Sequence, residues 1–146
     1  EPFLNYDRVI KSAEIFHNPR GFNLGRHRIT ISTAGILPKI KQFIDEEQKF
    51  KLAISLNASN NITRDKVMPI NKKWNIQQVI KEGKRFSLLK RRLVMFEYVL
   101  MKGINDSPEN AIVVEPESRW RHTASLQKTL REIGEGKERA GAQKNG

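Results

Sequence analysis

The chain has 146 residues, 27 of them Lys or Arg against 16 Asp or Glu, for a formal net charge of +11, and 38% are hydrophobic. That length supports one sizeable core and excludes two independently cored domains. The charge calls for a polyanionic partner, although basicity alone does not separate nucleic acid from a ribosome or a membrane surface. The chain has no cysteine, so disulfides, a thiolate nucleophile, a zinc ribbon and a cysteine-ligated iron-sulfur cluster are all excluded. No apolar run approaches the ~18 residues of a membrane span, and residues 1–5 lack the basic start and apolar centre of a signal peptide. A soluble, cytoplasmic chain is the expectation. The first residue is Glu1 rather than Met, as in a processed chain or a piece of a longer one.

In chain order, Asn5 or Asp7 can cap a helix that carries Val9, Ile10, Ala13 and Phe16. Ile29, Thr30 and Ile31 read as a short strand. Leu37, Ile40 and Ile44 then repeat along one helical face, with Pro38 tolerated in the first turn. Lys39, Lys41, Asp45 and Glu46 read as its solvated side. Leu52, Ala53 and Ile54 form a second strand, and Ile76, Val79, Ile80 and Phe86 a further helix after Asn75, a plausible cap. Residues 93–100 are nearly continuously apolar, the pattern of a strand buried on both faces. Strand and helix alternate, and a helical crossover makes neighbouring strands parallel. The expected class is therefore α/β, built of βα units. From residue 111 the character changes. Arg119, Trp120, Arg121, Leu126, Leu130 and Ile133 outline one short helix ended by Gly134, and residues 135–146 have no large apolar side chain and read as disordered.

In a parallel sheet, ligands sit beyond the carboxyl ends of the strands. Ser32, Thr33, Ala34 and Gly35 follow the first strand, and Ser55, Leu56 and Asn57 follow the second. Each group suits either close approach to a ribose or carboxylate, or a plain helix-capping turn. Glu97 lies inside the third apolar run, where an unpaired carboxylate is costly. It needs an Arg or Lys partner, or a ligand. His17, His27 and His122 have no metal-ligand spacing and read as surface residues. No dinucleotide fingerprint, Walker loop or serine elbow is present. Lys81, Lys84, Arg85, Lys90, Arg91 and Arg92 surround Phe86, and they suit either phosphate neutralisation with strong salt dependence or a solvated helix face.

Five blocks together resemble a known family: residues 1–6 (EPFLNY), 28–35 (RITISTAG), 52–58 (LAISLNA), 68–73 (MPINKK), and 96–100 (FEYVL) leading through Asn105-Asp106-Ser107-Pro108. Their order and spacing are similar to those of the radical S-adenosylmethionine (SAM) methyltransferases that methylate adenine C2 in 23S rRNA and tRNA. The resemblance covers residues 1–111 and not the tail, 112–146. It implies a fragment of an incomplete TIM-like (βα)6 barrel with exposed sheet edges, SAM as cofactor and structured RNA as partner. It implies that Glu1 contacts the methionine amino group of SAM, and that Ser32, Ser55, Leu56 and Asn57 contact SAM as well, Asn57 standing where many members have His. The family's Cys-x-x-x-Cys-x-x-Cys loop, which binds a 4Fe-4S cluster, and its two methyl-relaying cysteines are absent from this chain, which is therefore expected to be inactive alone. The competing expectation is a non-catalytic, basic RNA-binding module.

Overall fold

The computed structural model describes residues 1–91, 93–107 and 110. It divides into two compact units, Glu1–Val99 and Leu100–Gly146. The expected tail helix, the disordered end and Arg92 lie outside the described residues, as does His122.

The first unit runs α1 (Tyr6–His17), β1 (Thr30–Thr33), α2 (Leu37–Asp45), β2 (Lys51–Ser55), α3 (Asn61–Val67), α4 (Ile76–Lys90) and β3 (Met95–Glu97). Short 3-10 turns stand at Pro2–Asn5, Arg26–Arg28 and Pro69–Lys72. The strands form one parallel sheet in the order β1-β2-β3, with Ser32 opposite Ala53 and Ser55 opposite Glu97. The expected α/β class and parallel strands are what the structure has.

Because side chains alternate along a strand, register assigns each residue to a face. Ile54 and Phe96 lie against α4 at Gly83, where an added Cβ would stand 2.7 Å from Phe96 Cζ. Only glycine lets α4 pack this closely. Ile31, Leu52 and Ile54 join Leu37, Ile40, Phe43, Ile44, Val79 and Phe86 in the buried core on the helix side. Ser32, Ser55 and Glu97 therefore occupy the opposite face, at its carboxyl-terminal edge.

The capping expectation holds at α4, where Asn75 accepts from the Gln78 backbone and Gln78 answers to Asn75, a full capping box. At α1 it fails: Asn5 makes no side-chain cap bond, and the carboxylate of Glu1 instead accepts from Phe3 N, 2.9 Å, to cap the preceding turn. The third strand is also shorter than residues 93–100. Only Met95–Glu97 are strand, and Leu93, Met95 and Val99 are exposed to 50%, 38% and 62%. Among the described residues β3 is an edge strand paired to β2 alone, so Phe96 is covered by α4 while Met95 has no neighbouring strand on its outer side.

In the second unit, the described residues turn at Met101–Asn105. Met101 N donates to Asn105 Oδ1 at 2.6 Å, and Gly103 takes the left-handed φ of +73°.

Candidate cofactor site

The sequence offered two readings of residues 32–35, and the structure divides them between neighbours. Thr33 is buried, and its hydroxyl accepts from Gly35 N and Ile36 N at 3.1 and 3.4 Å, capping α2, whose own N-cap residue Ile36 has no side chain able to do so. Ser32 points the other way. Its hydroxyl donates to Glu97 Oε2 at 3.0 Å, and the Ser55 hydroxyl donates to the same oxygen at 3.0 Å. Three adjacent strands thus bring Ser32, Ser55 and Glu97 to one point. The partner that Glu97 required is neither Arg nor Lys among the described residues. It is a pair of hydroxyls, and their protons are committed to the carboxylate.

Glu1 lies at the same end of β1. Its Oε1 accepts from Thr33 Oγ1 at 2.9 Å, and its Oε2 accepts from Ala34 N. Both carboxylate oxygens are engaged by protein donors, so Glu1 fixes the loop after β1.

Leu56 and Asn57 follow β2. The Leu56 side chain is buried, its N–H donates to Glu97 O at 2.9 Å, and its carbonyl accepts from Arg64. Asn57 adopts φ +54°, which an asparagine tolerates better than most residues. Its Oδ1 accepts from Val99 N at 3.0 Å, and its Nδ2 lies 3.4 Å from Met68 Sδ. Leu56 and Asn57 therefore shape the loop beside Ser55.

The residue that sequence reasoning missed is Arg64 on α3. It is 0% exposed. Nε donates to Leu56 O at 3.0 Å, Nη2 to Ala34 O at 2.7 Å and to Ser55 O at 3.2 Å, and Nη1 to Asn71 Oδ1 at 3.0 Å. Burial lowers its pKa, with Asp65 opposing. Asn71 Nδ2 donates to Asp65 Oδ1 at 2.7 Å, so the nearest acid is reached through an amide. Its only sequence signal was an arginine amid polar residues, in a seven-residue helix with too little apolar periodicity to be seen.

The basic cluster lies elsewhere. α4 covers the sheet face opposite Ser32, Ser55 and Glu97. Lys81, Lys84 and Arg91 are exposed on it. Arg85 bridges Asp45 and Glu82, 3.3 Å from the latter, and Lys90 stands 3.7 Å from Glu47. The bond it donates to Asp45, then that to Glu82, raises the pKa of Arg85. Asp45 and Glu46 are accordingly not merely solvated, since Glu46 accepts from the Tyr6 hydroxyl at 2.6 Å. His17, read as a surface residue, is half-buried and bonds Leu24 O at 2.8 Å.

A hydroxyl-carboxylate cluster at the carboxyl ends of parallel strands is where α/β barrels bind cofactors. The fold is similar to that of a radical SAM methyltransferase from Sphaerobacter thermophilus, with a TM-score of 0.75 and 31% identity over 92% of this chain and 46% of that one. That places the unit in the class of radical SAM methyltransferase barrels. No protein-family model matches. Among curated proteins, the chain is 46% identical over 111 residues to the "Probable dual-specificity RNA methyltransferase RlmN" of Caldanaerobacter subterraneus subsp. tengcongensis. It is 49% identical over 111 residues to the protein of that description from Dictyoglomus turgidum. Both matches take in 76% of this chain and 32% of the relative. The chain is similar to a segment of these RlmN proteins and spans about a third of their length, 32%.

No helix among the described residues is long and apolar enough to cross a membrane. Nor does any group of three or more His, Asp or Glu among them stand together as a metal site. With no cysteine in the chain, its residues do not fit a 4Fe-4S cluster.

Proposed function

We propose that this chain is the SAM-binding segment of an RNA methyltransferase that acts in the cytoplasm on adenine C2 of 23S rRNA and of tRNA. The observation that carries this reading is the convergence of Ser32, Ser55 and Glu97, from three adjacent parallel strands, on one strand-end edge. The donor set suits the cofactor: a carboxylate and two serine oxygens accept from hydroxyl or ammonium groups, and SAM carries both. SAM when bound supplies the methyl group. Ser32, Ser55 and Glu97 bind and orient it, Glu1 and Thr33 hold the loop above β1, and Leu56 and Asn57 hold the loop above β2. Lacking thiolates, the chain alone transfers no methyl group.

Two measurements test this. Equilibrium dialysis of the chain against radiolabelled SAM should show saturable binding that Ser32→Ala together with Ser55→Ala weakens at least about tenfold. No saturable binding contradicts the reading. Structured RNA should bind with strong salt dependence through the cluster of Lys84, Arg85, Lys90, Arg91 and Arg92, with Arg85 and Lys90 contributing less because acids already engage them. Arg91→Ala should reduce the salt slope by about 1. RNA affinity with no SAM binding at all would favour a plain RNA-binding module.

A further inference from the structure

Arg64 is a buried cation with no carboxylate bonded to it among the described residues. Burying a charge is expensive unless its donors are satisfied, and here they are satisfied by three backbone carbonyls and one amide oxygen, which an apolar side chain would leave without a donor. What an apolar side chain lacks is direction. The planar guanidinium has donors in a fixed fork, and here the fork reaches two separate loops, one after β1 through Ala34 O and one after β2 through Ser55 O and Leu56 O. A second observation concerns Gly35, with φ +110°. An added Cβ there would lie 3.2 Å from Nη2 of Arg64 and 3.3 Å from Val79 Cγ2, so the β1 loop closes on the guanidinium as only glycine allows. On the far side, Asn71 receives Nη1 and donates to Asn61 Oδ1 at 3.1 Å, which also accepts from Ile76 N at the start of α4. One side chain thus links two strand ends to the helices behind them.

We propose that Arg64 is the positioning residue that couples the loops after β1 and β2, so that Ser32 and Ser55 meet the cofactor from strand ends held as one unit. Its link to SAM rests on the cofactor reading above, whereas the coupling itself does not. A lysine ammonium keeps the charge but gathers its donors at a point, and it reaches one loop at the expense of the other.

The test is amide hydrogen exchange by NMR on the full 146-residue chain, wild type against Arg64→Lys, followed by calorimetric titration of both with SAM. The amides of Ala34, Gly35, Leu56 and Asn57 should exchange at least about tenfold faster in the variant, while those of Ile31 and Ala53 within the strands change less than about threefold. SAM affinity should fall about tenfold. Equal acceleration of loops and strands, acceleration of one loop only, or unchanged SAM affinity overturns the proposal. If the wild type binds no SAM, the cofactor reading fails and the exchange pattern still decides the coupling. If Arg64→Lys does not fold, Asn71→Ala, which keeps the guanidinium and removes its side-chain acceptor, should accelerate both loops selectively by about threefold. No selective acceleration there overturns the proposal.

Discussion

The strand-end edge and the outer face of α4 both carry charged residues, yet they hold them in opposite ways. At the strand ends, Arg64 is buried and bonded to carbonyls, and Glu97 is half-buried and bonded to two hydroxyls. On α4, Lys81, Lys84 and Arg91 are exposed, and Arg85 and Lys90 meet acids at the surface. Directed bonds with little water fix geometry, whereas exposed ion pairs contribute little because solvent competes for both partners. The charges that define a site are therefore the few buried ones, and the conspicuous cluster of positive charge is the softer region.

That contrast breaks most sharply under truncation. Phe86→Ala, on the buried side of α4, should cost about 3–5 kcal/mol in urea unfolding, because it opens a cavity beneath the sheet. Arg64→Met should cost on the order of 3 kcal/mol, since it leaves the carbonyls of Ala34, Ser55 and Leu56 without their donor. A near-neutral result for Arg64→Met would make it ordinary core filler. Glu97→Ala removes the common acceptor of Ser32 and Ser55 and should cost about 1 kcal/mol.

Tyr6 and Glu46 sharpen the comparison through pH. The bond from Tyr6, then those from Gln42 and Gln48, lower the pKa of Glu46. Burial, then Glu46 itself, raises that of the Tyr6 hydroxyl. A carboxylate with a lowered folded pKa contributes stability that is present above its unfolded value and is lost as pH falls through the folded one. The wild type should thus exceed Tyr6→Phe in unfolding midpoint at neutral pH, by a margin that shrinks below about pH 4. The smallest effect belongs to the outer face of α4, where Arg85→Ala should leave the unfolding midpoint unchanged within error, because the guanidinium is solvated.

The βα rhythm was legible because apolar spacing decides it, and the Asn75 cap because a capping box is local. The placement of Ser32 and Ser55 at the carboxyl-terminal edge of the sheet was legible because each falls at the end of an apolar, β-branched run. The extent of β3 was not legible, since its continuous apolar run signals burial on both faces and an edge strand lacks the neighbour to supply it. Glu97 was recognisable as needing a partner, but which partner depends on register across three strands. Arg64 was invisible for the same reason: its acceptors are backbone carbonyls 30, 9 and 8 residues away, and carbonyls leave no mark in a sequence.

The most direct test of the central claim is an NMR titration of the 15N-labelled chain with SAM. Amide shifts should concentrate at residues 32–35, 55–57 and 97–99, with residues 81–90 of α4 unmoved. Saturating shifts confined to α4, or no saturating shifts at the strand ends, would contradict the assignment of this edge as the cofactor site.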